Sequence, residues 1–127
     1  MNQITRREVL ELCALSLLAT QIGCTPNVQL DVTSTQTIAD LGSNLTHLES
    51  CKVIGRAWLD TQTRPFDARQ TYESLFASVE EGTTLKTQQA ALRRRQAQDF
   101  KVGRIINRGG WLMSETELKV YALLATI

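Results

Sequence analysis

The side chains in this chain that could do chemistry are few: three cysteines, one histidine, one pair of adjacent acids and a run of arginines. A nucleophilic thiol needs electropositive, partly exposed surroundings that favour the thiolate. Cys51 instead recurs in step with Ile38, Leu41, Leu45, Leu48, Gly55 and Trp58, at intervals of three or four. That spacing places it on the apolar face of a helix, as a small core residue. His47 has no Cys or His partner at metal-ligand spacing and reads as a surface or helix-end residue. Glu80 and Glu81 are neighbours, so on a helix they point to different faces and cannot bracket a scissile bond. No Gly-rich phosphate loop, haem-attachment motif or nucleophile elbow is present. The residues therefore predict no catalytic set, no cofactor and no metal.

The remaining candidates are charges and anchors. From Lys86 to Arg108 there are seven basic residues and one acid, Asp99, whereas Asp31 to Glu81 holds eight acids and four bases. Two readings follow: a docking face for an acidic partner or anionic head groups, or a solvated face whose charges answer the acidic helices of the same domain. Few aromatics interleave with the bases, which argues against nucleic acid. Beside Arg108, Gly109-Gly110-Trp111 is the most site-like loop, since Trp and Arg are favoured interface anchors. The alternative is a tight turn that tucks Trp111 into the core. The candidate partner surface is thus Arg93, Arg94, Arg95, Arg104, Arg108 and Trp111.

These residues must be positioned by a helical scaffold. The apolar period from Ile38 to Trp58 predicts a helix, best from Thr46 to Thr61, with a kink or break at Gly42-Ser43-Asn44 and a stop at Arg64-Pro65. Asp67, with Gln70 three residues on, predicts the N-cap of a second helix ending at Glu80-Glu81-Gly82. A third, from about Thr84 to Phe100, has a thin stripe of Leu85, Leu92 and Phe100 and should lie on the surface. Ile105-Ile106 and Trp111-Leu112-Met113, flanking Asn107-Arg108-Gly109-Gly110, predict a hairpin or ordered loop. Ser114 and Glu117 form a capping box, with Met113 and Leu118 placed to staple it. The nearly all-apolar stretch Leu118 to Ile127 then belongs at the bundle centre.

The first 24 residues read as an address. Met1 to Arg7 is short and basic, Val9 to Ala19 is mostly apolar, and small residues follow. Thr5-Arg6-Arg7-Glu8-Val9-Leu10 resembles the twin-arginine (Tat) export signal. Val9 stands where that family most often has Phe, and Glu11 where Lys is common. The resemblance implies export of a folded protein by the Tat translocase through Arg6 and Arg7. Gln21-Ile22-Gly23-Cys24 resembles a lipobox, apart from Gln21, which implies lipidation of Cys24 and attachment to a membrane surface; simple cleavage near Gly23 is the alternative. Setting aside Arg6, Arg7, Glu8 and Glu11 leaves 12 basic residues against 11 acidic ones. Cys51 is then the one thiol within the domain, so no internal disulfide framework is expected.

The expected organisation is a signal segment at 1–24, a Pro/Ser/Thr-rich linker at 25–36 and a helical domain at 37–127. The fold class is mainly α: a small bundle of about four helices with a short hairpin or ordered loop before the last. The expected role is that of an exported, periplasmic or membrane-associated accessory subunit, not an enzyme. By size and address it resembles the small Tat-signal subunits that escort larger membrane-associated redox enzymes. The alternative is a free-standing periplasmic lipoprotein with a structural or envelope role.

Overall fold

The computed structural model describes residues 29–127. The expectations placed on Arg6, Arg7, Cys24 and the first part of the linker lie outside the described residues. The remainder is mainly helical: α1 (Val32–Ser43), α2 (Leu48–Leu59), α3 (Ala68–Phe76), α4 (Leu85–Val102), an antiparallel hairpin of β1 (Ile105–Arg108) and β2 (Trp111–Ser114), and α5 (Glu115–Leu124). The described residues hold five helices because the Gly42-Ser43-Asn44 interruption is a full break. The Leu45 N–H turns back to the Gly42 carbonyl at 2.9 Å and the chain restarts at Leu48.

Helix α1 begins at Val32, inside the 25–36 stretch expected to be linker. Asp31 starts it: its carboxylate accepts from the Ser34 N–H at 2.7 Å and closes the first turn. The amide and hydroxyl of Ser34 hold the Asp31 carboxyl below its usual range. Ser34 itself is buried, so this Ser/Thr-rich stretch turns one side of a helix to the core. Helix α3 starts as expected, with Asp67 accepting from the Gln70 N–H at 2.8 Å. It ends at Phe76 rather than near Gly82, in a turn where the Val79 N–H donates to Phe76 O at 2.9 Å. That turn keeps Val79 against the core, which is where the helical period had placed it.

Helix α5 is the hub, in contact with all four other helices and with β2. Leu123 and Leu124 join a larger cluster with Ile38, Leu41, Cys51, Leu75 and Phe76. Leu118 and Ala122 join a smaller one with Trp58 and Met113. Met113 and Leu118 pack in the same cluster, as a hydrophobic staple requires. The closest crossing is α2 on α5: a Cβ on Gly55 would overlap the Tyr121 carbonyl and lie 2.7 Å from the Ala122 nitrogen. Only a residue without a side chain lets the two backbones meet there.

Helix α4 lies on the surface, with Ala91 and Asp99 its buried residues. Its stripe differs from expectation at the end, since Phe100 is exposed. Gly103 terminates it in the left-handed region (φ +78°), donating to the Asp99 carbonyl.

Candidate interaction surface

The hairpin is fastened to the bundle at both ends. At its base, Asp99 is 3% exposed and binds in three directions. Oδ2 accepts from the Thr116 N–H at 2.8 Å, Oδ1 accepts from Arg104 Nε at 3.0 Å, and the Asp99 carbonyl accepts from the Arg104 N–H at 2.9 Å. The Arg104 carbonyl in turn accepts from the Glu115 N–H at 3.0 Å, and Ser114 Oγ accepts from the Glu117 N–H at 2.9 Å. The first three amides of α5, orphaned in an isolated helix, are thus taken by three different segments. Burial pushes the Asp99 carboxyl up, but the Thr116 hydroxyl and amide and the Arg104 guanidinium outweigh it and hold it below its ordinary value.

The Ser114–Glu117 box is only half formed. Glu117 does not reach back; its carboxylate accepts from the Tyr121 hydroxyl at 2.8 Å. Burial, helped by the Glu117 carboxylate and the nearby Cys51 thiol, pushes the Tyr121 phenol well up. Cys51 is buried, the core position its spacing indicated. His47 sits exposed at the N-cap of α2 with no side-chain capping bond. Among the described residues no three His, Cys, Asp or Glu side chains gather as a metal site.

At the tip, Gly109 (φ +58°) and Gly110 (φ +88°) form the two-residue turn, and Asn107 Oδ1 accepts from the Gly110 N–H at 3.0 Å. Ile106 pairs with Met113, and both pack in the smaller core cluster. One step outward on the same ribbon face, Arg108 pairs with Trp111. Arg108 is half-buried and reaches across to donate from Nη2 to the Ala57 carbonyl of α2 at 2.7 Å. Trp111 is not tucked into the core; it is 77% exposed, with Leu112 beside it 60% exposed.

The six expected surface residues therefore separate. Arg104 and Arg108 are committed to internal bonds, which the sequence reading did not anticipate. Arg95 is half-buried, on the inward side of α4. Arg93 and Arg94 are exposed, and Arg93 rims a cleft of about 210 Å³ between α1, α4 and α5. Leu41, Leu45, Leu92, Val120 and Tyr121 line that cleft, with Asn44 and Gln89. Among the described residues the basic segment makes one ion pair, Arg104–Asp99. Its arginines do not answer the acids of the first three helices at ion-pair distance. Asp99 was missed as a structural centre; its signal was a lone acid in a basic run, five residues before Arg104 across a glycine.

No protein-family model matches the chain, and no curated protein or solved structure matches it. What the arrangement can do has to be read from its own surfaces.

Proposed function

We propose that this is a small exported accessory subunit that works by binding a larger protein and has no catalytic activity of its own. The observation that supports this reading is the α1–α4–α5 cleft, an apolar groove with an arginine on its rim. An apolar centre inside a polar rim is the usual anatomy of a protein contact, and Arg is enriched at such sites. Escort of a membrane-associated redox enzyme remains the role implied by the resemblance of the N-terminal segment to twin-arginine signals.

Two experiments test the two halves of the reading. Affinity purification of tagged protein from envelope extracts should recover a stoichiometric partner, and Arg93→Glu with Arg94→Glu should weaken that capture by about tenfold or more. Recovery of no partner, or equal capture by the double variant, overturns the subunit reading and favours the free-standing lipoprotein. Arg6→Lys with Arg7→Lys should block export, and Cys24→Ala should release the protein from membranes. Unchanged export in the lysine variant removes the twin-arginine address.

A further inference from the structure

The hairpin end is a different surface from the α4 cleft, whose lining comes from Leu41 to Leu45, Gln89 to Arg93, and Val120 and Tyr121. Of the large apolar side chains exposed in the described residues, five fall between Phe100 and Leu112: Phe100, Val102, Ile105, Trp111 and Leu112. The hairpin register fixes how three of them are displayed. Trp111 shares a ribbon face with Arg108, whereas Leu112 and Ile105 lie on the opposite face, diagonally across the two strands. The free end, around the Gly109-Gly110 turn, therefore shows one large apolar side chain on each face, Trp111 beside Arg108 and Leu112 beside Asn107, with Ile105 nearer the base.

Charge is one-sided here. Lys101, Arg104 and Arg108 lie within the same stretch; the buried Asp99 offsets Arg104, and Lys101 and Arg108 have no acidic partner among the described residues. The nearest acids in sequence are engaged: Glu115 pairs with Lys119 at 2.7 Å and Glu117 holds the Tyr121 hydroxyl. Pairing this end with a second copy of itself would set cation against cation. A rigid protein groove would cover one face of the ribbon and leave the other apolar face wet. A lipid interface suits both properties: it surrounds a protruding tip, it takes Trp at head-group depth, and anionic head groups attract Lys101 and Arg108. No helix among the described residues is long and apolar enough to cross a membrane, so the contact is a shallow one.

We propose that the hairpin end, with Trp111 and Leu112 at its tip and the charges of Lys101 and Arg108 behind them, inserts into the head-group layer of an anionic bilayer. The proposal is independent of the α4 cleft and of any lipid on Cys24.

The test uses the full chain and reads Trp111 directly. Trp58 is buried, so a vesicle-dependent fluorescence change at the exposed tryptophan reports the hairpin. Brominated phosphatidylglycerol vesicles should quench Trp111 emission, and Trp111→Phe should remove that quenching. On brominated phosphatidylcholine alone the lipid concentration for half-quenching should rise by about tenfold or more. Leu112→Ser should weaken partitioning by about tenfold with an unchanged circular dichroism spectrum, since its side chain carries no core contact. Vesicle binding that leaves Trp111 unquenched overturns the proposal, as does equal quenching on neutral vesicles. Shielding of Trp111 by an acidic protein, with vesicles leaving it exposed, also overturns it.

Discussion

The buried carboxylate of Asp99 caps a helix seventeen residues away in sequence, accepting from the Thr116 N–H at 2.8 Å while its other oxygen takes Arg104 Nε at 3.0 Å. One side chain therefore ties the end of α4, the entry to the hairpin and the start of the central helix. Asp99→Ala should destabilise the domain by about 2 kcal/mol, the loss expected for a hydrogen-bonded charged group whose partners are left behind. Urea unfolding followed by circular dichroism measures it. A change near zero would show that α5 does not depend on this cap.

The same carboxyl sets a pH dependence. Its value in the folded protein lies below the ordinary 3.8. Above 3.8 the group is ionised in folded and unfolded chains alike, and its full contribution is present. As pH falls through 3.8 the unfolded chain takes up the proton first. The contribution is lost as pH falls through the lower folded value. The difference in melting temperature between wild type and Asp99→Asn should be constant near neutrality and shrink in acid below about pH 4. A difference that stays constant down to pH 2 would contradict the bonding described.

Gly55 should tolerate no side chain. A methyl group there meets the Tyr121 carbonyl and the Ala122 nitrogen, which are helix backbone and cannot swing aside. Gly55→Ala should cost about 3 kcal/mol, the upper part of the usual range for overpacking, despite its better helix propensity. Thermal unfolding of the variant gives the value, and a stabilised protein would mean that α2 and α5 can separate freely.

Cys51 should behave as a reporter of unfolding. Its thiol is buried in the larger core cluster. Reaction with a disulfide reagent should be slow in native buffer and fast in denaturant, with the native rate tracking global stability across the Asp99 and Gly55 variants. Rapid labelling of the native protein would place the thiol in a mobile, accessible site.

Arg108 should matter for the hairpin more than for the bundle. Its bond to the Ala57 carbonyl is the one hydrogen bond from the hairpin to α2 among the described residues. Arg108→Ala should cost about 1 kcal/mol of global stability. It should also raise amide exchange at the ends of β1 and β2 more than in α5, as hydrogen exchange with mass spectrometry would resolve.

Much of the fold was legible in local patterns. The caps at Asp67 and Ser114, the apolar run of α5 and the Gly109-Gly110 turn are short-range features whose physics is complete within a few residues, so the bundle-and-hairpin class followed from them. The boundaries that differ have equally local causes: Asp31 caps a helix inside 25–36, and the helix capped by Asp67 ends at Phe76. Other features could not be read from neighbours at all. The basic run is visible in the sequence, but that Arg104 and Arg108 are committed inward while Arg93 and Arg94 stay free depends on residues 5 and 51 positions away. That Trp111 stands in solvent rather than in the core was left open by its composition and its turn. The ribbon register decides it: Trp111 lies two pairs beyond Met113 on the same face, past the edge of the smaller core cluster.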